Sequence, residues 1–277
     1  MKRILSVQDI SCIGKCSLTV ALPIISAMGV ECAILPTAVL STHTVFRGFT
    51  FRDLTEDLNG IIDHWVTEGF GFSAVYTGYL GSQEQIETVA RLFDTYKDSY
   101  RIVDPVMGDH GKLYTGFEED FARKMAGLCA KADIILPNMT EAAFMLGIPY
   151  PGSEHSEAYV KDILMKLSAL GPRIAALTGV SFEAGKLGVM AYDREADEFF
   201  YYARERIPAS FHGTGDIFAS AFTGALTEGG DYKEALRVAA DYTVECITRT
   251  LENPEHVGYG VEFERAIPYL VKRIGKA

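Results

Sequence analysis

The chain has 277 residues, 48% hydrophobic and 23% charged, enough to bury a large core without metal or disulfide staples. Its formal net charge of −11 disfavours nucleic acid and anionic membrane as partners, so an anionic ligand would have to be held by local groups against the global field. Five cysteines without framework spacing, no matching Cys/His pair beyond Cys12 and Cys16, no basic-plus-apolar leader and no apolar run near ~18 residues lead us to expect a soluble cytoplasmic protein with reduced thiols and no zinc site.

Strand and helix patterns alternate along the chain. Arg3–Val7 reads as an apolar strand, Leu18–Met28 as a helix stopped by Gly29, and Cys32–Leu35 as a second strand. Leu54–Thr67 has amphipathic helical spacing with Trp65 on its buried face. Ala74–Thr77 is a strand, and Ser82 caps a helix over Gln83–Tyr96 with Glu84 in its first turn. Arg101–Val103, the helix Phe117–Cys129, Ile134–Leu136, the helix Thr140–Leu146 and the helix Glu157–Ala169 continue the rhythm. It then changes. Ile174–Leu177 is followed by two strands, Leu187–Ala191 and Glu198–Ala203, which read as a hairpin, and by helices over Asp216–Thr227, Tyr232–Thr248 and Val261–Ile274. No linker, repeat or low-complexity tract interrupts the chain, so we expect one domain over 1–277. Repeated β-α units predict a mostly parallel sheet with helices on both faces, right-handed crossovers, and ligands beyond the carboxyl ends of the strands.

The residues expected just past those strand ends share a polar, small or acidic character. They are Gln8 and Asp9, Thr37 and Ser41-Thr42-His43-Thr44, Thr77-Gly78-Tyr79, Asp104-Pro105, Pro137-Asn138 with Glu141, and Thr178-Gly179. Their convergence on one rim predicts a site. The opening stretch Ser6–Val20 looks like a strand, glycine turn and helix, yet it is not a phosphate loop of the G-x-x-x-x-G-K-[ST] kind. Cys16 follows Gly14-Lys15, and Asp9 stands where the first glycine belongs and would repel phosphate.

A second glycine cluster, Gly213-Thr214-Gly215-Asp216, precedes an apolar helix. Free N–H groups at a helix start, with glycines allowing close approach, make an anion site. Asp216 reads either as an ordinary first-turn carboxylate or as a base for an attacking alcohol. Asn138 and Glu141 lie one helical turn apart. They read as an N-cap with a first-turn acid, or as oxygen ligands suited to Mg²⁺. Asp104, followed by Pro105, gives a rigid strand exit or is an ordinary turn aspartate. The loop Asp109, His110, Gly111, Lys112, Leu113 and Tyr114 is a surface loop or a mobile lid, and His43 and His212 are loop histidines with or without a ligand.

In order along nearly the whole chain, these residues resemble the ribokinase-like superfamily, and within it pyridoxal kinases. The motifs are Val7-Gln8, Thr42-His43-Thr44, Thr77-Gly78-Tyr79-Leu80-Gly81-Ser82, Asp104-Pro105-Val106-Met107-Gly108, Ala132-Asp133-Ile134-Ile135 with Pro137-Asn138 and Glu141, Gly213-Thr214-Gly215-Asp216, and Tyr259-Gly260-Val261-Glu262-Phe263-Glu264. The G-T-G-D element marks the superfamily, and hydroxymethylpyrimidine kinases are the nearest competitor.

The resemblance implies a three-layer αβα fold with a mostly parallel central sheet and a late β-hairpin. It implies ATP-dependent phosphorylation of the 5′-hydroxymethyl group of a B6 vitamer in pyridoxal 5′-phosphate salvage. Asp216 would be the base, with Gly213, Thr214 and Gly215 as the anion hole. Asp104, Asn138 and Glu141 would bind the ATP phosphates and Mg²⁺, with Asp104 and Glu141 as the metal carboxylates. Thr178 and Gly179 would line the nucleotide and a monovalent-cation site for an ion such as K⁺. Thr214 and His212 would also touch ATP, and Asp109–Tyr114 would be the lid. His43, Thr44 and Tyr79 would hold the pyridine ring. Relatives are commonly homodimers.

Two departures bear on this. Asp9 and Ile10 replace a typical serine and histidine, and Asp9 would favour a protonated ring nitrogen or the ammonium of pyridoxamine through a charge-assisted hydrogen bond, so we expect a preference for pyridoxamine over pyridoxal. Leu136 replaces a threonine found in some relatives, removing a side-chain ligand for the monovalent cation. Two other readings remain: a hydroxymethylpyrimidine kinase of thiamine synthesis, and a non-catalytic nucleotide- or B6-binding protein on the same fold.

Overall fold

The computed structural model describes residues 1–152 and 155–276. The chain divides into two compact units, Met1–Tyr76 with Ile207–Ala277, and Thr77–Arg206.

The first unit opens on β1 (Arg3–Ile13), whose Ile4, Leu5 and Val7 are fully buried. The strand runs six residues past the expected end at Val7. It is held extended by parallel pairing with β2 (Glu31–Thr42), from Arg3 opposite Glu31 to Ile13 opposite Thr42. Gln8, Asp9, Thr37, Ser41 and Thr42 therefore lie inside strands rather than beyond them. Ladder hydrogen bonds, which apolar patterning does not report, carry the polar residues. The register shifts between Gln8 and Ile10, at Asp9. Such irregularities re-aim side chains.

Between these strands runs α1 (Leu18–Ala27), which buries Leu18, Val20, Ala21, Ile24 and Ile25. A short strand absent from the sequence reading, β3 (Phe51–Asp53), pairs antiparallel with β2. Next come α2 (Thr55–Thr67) and β4 (Ala74–Thr77). The buried face of α2 is Leu58 and Ile62, while Trp65 is only half-buried against Phe72. Within this unit the strand order is β4-β1-β2-β3.

The second unit begins with α3 (Gln83–Thr95), capped as expected by Ser82, whose hydroxyl accepts the Gln85 N–H at 3.2 Å. It continues through β5 (Tyr100–Val103), the two-residue strands β6 (Gly108–Asp109) and β7 (Lys112–Leu113), α4 (Glu119–Cys129), β8 (Ile134–Ile135), α5 (Met139–Leu146) and α6 (Glu157–Ala169). It closes with β9 (Ile174–Val180), β10 (Lys186–Asp193) and β11 (Glu198–Glu205). The order is β11-β10-β9-β8-β5. β5, β8 and β9 are parallel, and β10 and β11 form the expected antiparallel hairpin. Short apolar strands parallel to one another need helical crossovers, which α4, α5 and α6 supply.

The chain then re-enters the first unit with α7 (Thr214–Glu228), α8 (Tyr232–Leu251) and α9 (Ile267–Arg273). The helix expected over Val261–Ile274 is a 3₁₀ turn, Phe263–Ala266, followed by α9. Pro268 explains the break, because proline fits only the first turn of a helix. α7 packs on α1 and α8. The contact is close at Gly224, where a Cβ would lie 2.4 Å from Met28 Sδ.

Candidate active site

In the first unit the turn between β1 and α1 packs against the start of α7. Gly213, the N-cap of α7, has φ +80°, and a Cβ there would sit 1.7 Å from the Lys15 carbonyl oxygen. Only glycine permits this approach. Thr214, Gly215 and Asp216 form the first turn, with N–H groups that have no intrahelical acceptor, and the ladder begins with Ile217 N–H donating to Gly213 O at 3.0 Å. A Cβ at Gly215 would meet nothing within 4 Å, so that position faces open space. Asp216 is half-buried, and withdrawal from water, opposed by the Ser17 backbone and reinforced by the negative charge of Asp9, pushes its carboxyl up to about 7.

Asp9 is 5% exposed, and its two carboxylate oxygens accept from the hydroxyls of Ser11 (3.1 Å) and Ser17. Burial raises its pKa. The Cys16 thiol is pushed up to about 12 by burial and by the charges of Asp216 and Asp9, so it is an inert neutral group beside the carboxyls.

His43 is buried, with both ring nitrogens engaged by backbone. Nδ1 accepts from Val45 N–H at 3.3 Å, which leaves the proton on Nε2 to donate to Tyr259 O at 3.0 Å. Burial, with His212 second, lowers its pKa and favours this neutral form. The His212 ring lies 5.4 Å away, and Thr44 is exposed. Lys15 pairs with Glu264 and covers the Phe263 ring, so it is committed within the protein.

In the second unit Asn138 and Glu141 form a full capping box on α5. The Asn138 side chain accepts Glu141 N–H at 3.0 Å, and Glu141 Oε2 accepts Asn138 N–H at 2.8 Å. Oε1 of Glu141 accepts Met107 N–H at 3.2 Å, tying the Asp104–Gly108 strand exit to α5. Burial pushes the Glu141 carboxyl up to about 8, opposed by its backbone hydrogen bonds. Asp104 is 7% exposed. The charges of both Glu141 and Asp104 act on the buried Cys129 thiol, so the two carboxylates share one neighbourhood. Asn138 Nδ2 donates to Gly108 O at 2.9 Å, and Thr178 N–H donates to Pro137 O at 2.9 Å, so the exits of β5, β8 and β9 are linked. Gly179 takes φ +72°.

The expected lid, Asp109–Tyr114, contains a small hairpin. Gly108 pairs with Leu113 and Asp109 with Lys112, across His110 and Gly111, both at positive φ as a two-residue turn requires. Gly111 N–H donates to Thr140 Oγ1 at 2.9 Å, which pins the turn to α5. The Tyr79 ring lies 5.6 Å from Phe117, which stacks on Phe121. A pocket of about 270 Å³ lies beside Phe117, between Gly81-Ser82 and Gly116, and its lining includes none of Asp104, Asn138 and Glu141.

Sequence reasoning missed the roles of Ser17 and Thr140, which act through a hydroxyl and carry no motif, and saw Met107, whose N–H holds Glu141, only as part of a family motif. Tyr259, which fixes the His43 tautomer, was visible only as part of a family motif. Among the described residues no group of three or more His, Cys, Asp and Glu side chains is placed to hold a metal.

The family profile of phosphomethylpyrimidine kinases matches residues 22–260. A candidate phosphomethylpyrimidine kinase from Bacteroides thetaiotaomicron is 38% identical, with a TM-score of 0.93 over 97% of this chain and 93% of that one, and it has also been crystallised with pyridoxal. Pyridoxal kinase from Lactobacillus plantarum is 32% identical, with a TM-score of 0.90 over 98% of this chain and 97% of that one. Pyridoxal kinase PdxY of Granulibacter bethesdensis is 27% identical over 264 residues, 90% of each chain. With these structures the chain shares a largely parallel sheet flanked by helices, and it belongs to the phosphomethylpyrimidine kinase family, within the ribokinase-like superfamily.

Proposed function

We propose that this enzyme transfers the γ-phosphoryl group of ATP to the 5′-hydroxymethyl group of a B6 vitamer. The observation that carries the reading is Asp216, a half-buried carboxyl whose pKa is raised to about 7, in the first turn of α7 beside the open backbone of Gly213-Thr214-Gly215. A base with a pKa near the working pH is suited to take a proton from an alcohol. Asp216 accepts the 5′-hydroxyl proton, the alcohol oxygen bonds to the γ-phosphorus, and the bond from that phosphorus to the β–γ bridging oxygen breaks as ADP leaves. The free N–H groups of residues 213–216 receive the charge on the transferring group.

The family resemblance assigns Asp104, Asn138, Glu141, Thr178, Gly179, Thr214 and His212 to the nucleotide. Mg²⁺ fits Asp104 and Glu141, because the donors are carboxylate oxygens. Glu141 already accepts Asn138 and Met107 N–H, which suits an ion held through water rather than chelated directly. When bound, it neutralises phosphate charge. A monovalent cation at Thr178 and Gly179 would lack a side-chain ligand at Leu136.

Thr44, Tyr79 and the ring face of His43 hold the vitamer, and Asp9 lies on the acceptor side. The hairpin Asp109–Tyr114 covers the phosphates, closing about its anchor at Thr140. The reading extends to one kinase domain over 1–277, acting as a cytoplasmic homodimer. Free thiols at all five cysteines and exposed Phe46, Phe49 and Phe51 support it, and no helix among the described residues is long and apolar enough to cross a membrane.

The family match favours hydroxymethylpyrimidine as the second candidate acceptor. An ATP-coupled assay across pyridoxal, pyridoxine, pyridoxamine and hydroxymethylpyrimidine decides between them. Turnover is expected with at least one B6 vitamer. Turnover with the pyrimidine alone overturns the vitamer assignment, and silence with all four leaves a binding protein.

A further inference from the structure

The motif Tyr259-Gly260-Val261-Glu262-Phe263-Glu264 supplies none of the groups assigned to ATP or to phosphoryl transfer, yet it is gripped from two sides within the first unit. One side is fastened to α8 and the turn after it. Glu262 N–H donates to Thr250 Oγ1 at 2.8 Å, Asn253 Nδ2 donates to Glu262 Oε1 at 2.8 Å, and the buried Tyr242 hydroxyl donates to Phe263 O at 3.1 Å. The other side meets the turn after β1. Glu264 pairs with Lys15, whose ammonium lies 5.3 Å from the centre of the Phe263 ring, and a Cβ at Gly260 would sit 2.3 Å from Lys15 Cβ.

Held in this way, the segment presents the Tyr259 carbonyl to His43. The Nε2–H of His43 donates to it at 3.0 Å, while Nδ1 accepts from Val45 N–H at 3.3 Å. The Tyr259 ring lies 5.5 Å from the ring of Phe46, which meets the imidazole edge to face at 5.2 Å. Gly14 closes a further side, where a Cβ would be 2.9 Å from His43 Cδ2. Both hydrogen-bonding atoms of the imidazole are thus used by the backbone, and what the residue offers a ligand is ring surface.

We propose that Tyr259 is a positioning residue for the vitamer: its backbone carbonyl sets the plane and the tautomer of His43, and its ring backs Phe46 against the same imidazole. This rests on the reading that the ring face of His43 holds the vitamer. A hydrogen bond at one ring nitrogen decides where the proton sits and how the ring is turned. A contact side chain fixed by surrounding packing and hydrogen bonds loses little freedom when a ligand binds. Gly260 lets the carbonyl reach His43, because a side chain there would strike Lys15.

Kinetics and spectroscopy on the full chain test this. Tyr259→Ala removes a half-buried ring and keeps the carbonyl. It is expected to raise KM for pyridoxal about 5-fold or more with kcat and KM for ATP within about 2-fold, as for a loss of binding that ground state and transition state share, and Tyr259→Phe is expected to restore wild-type values. In ¹⁵N spectra without substrates, the His43 signals are identified by their loss in His43→Ala. They are expected to show a protonated Nε2 and a bare Nδ1 in wild type, and a mixture of tautomers in Gly260→Ala, where the carbonyl is displaced. Unchanged KM for pyridoxal in Tyr259→Ala overturns the proposal, and so does a wild-type His43 protonated on Nδ1. Unchanged KM for pyridoxal in His43→Ala overturns the placement of the vitamer on His43, and the proposal with it. A wild-type enzyme that phosphorylates no B6 vitamer refutes the functional reading beneath, while the ¹⁵N spectra, which need no turnover, still decide whether Tyr259 sets the His43 ring.

Discussion

A carboxyl group withdrawn from water beside another carboxyl resists ionisation, and in this chain that resistance falls on the proposed base. Asp216 is pushed to about 7 chiefly by burial, with Asp9 adding to the shift. Below about pH 7 Asp216 holds a proton and cannot accept one, so kcat/KM should fall roughly tenfold per pH unit well below the limb. Asp216→Asn should leave ATP binding largely intact and lower kcat by about two orders of magnitude or more; near-normal turnover would remove Asp216 from the mechanism. Single residues also carry more than one reading. Asn138 and Glu141 match a phosphate and metal motif, yet each also completes a capping box, and both roles draw on the same oxygens. His43 matches a substrate motif, yet both its nitrogens are spent on backbone partners.

At the scale of elements, the head of α7 distinguishes two glycines that look equivalent in the sequence. Gly213 is required by backbone crowding and a left-handed φ, whereas Gly215 sits in the helix with empty space beyond it. Gly213→Ala should cost roughly 2 kcal/mol or more of stability, because strain and a backbone clash combine. Gly215→Ala should keep or raise stability by up to ~1 kcal/mol, as alanine favours a helix, while kcat falls about tenfold or more because a methyl group enters the anion path. Denaturant melts and kinetics on the two variants separate the claims; equal destabilisation of both would refute the contrast. The segment expected to be a lid also changed character at this scale. The glycines near Asp109–Tyr114 announced a loop, and the structure makes it a hairpin whose turn, at His110 and Gly111, is tethered to α5. The tether is a threonine hydroxyl 29 residues away in sequence, beyond any local pattern.

For the whole molecule, two carboxyls withdrawn from water, the buried Glu141 and the half-buried Asp216, set a pH dependence of stability. Asp216 and Glu141 have folded values of about 7 and about 8, above their unfolded values. The folded chain therefore holds protons that the unfolded chain releases. Their contribution is fully present below the unfolded values and is lost as pH rises through 7 to 8. Without nucleotide or divalent cation, Tm at pH 8.5 should lie below Tm at pH 6.5 by roughly 2–4 °C, with the difference reduced in Asp216→Asn. A Tm that rises over that interval would show the two groups to be ionised at little cost. The alternation of strands and helices, most helix ends, the late hairpin and the family motifs were legible in the sequence, because each rests on local periodicity, capping or glycine placement. Strand ends were not. β1 and β2 extend through polar residues because they pair with each other, and β3 exists only as an edge partner of β2. The amino-acid sequence by itself determined the fold class, the kinase family and the identity of the candidate base. Only the tertiary structure decided that Asp9 is buried between two serines, that the Lys15 carbonyl crowds Gly213, and that His43 is a neutral ring with both nitrogens bonded. These are outcomes of which backbone atoms meet across distant segments, and such contacts leave no period or composition in the chain itself.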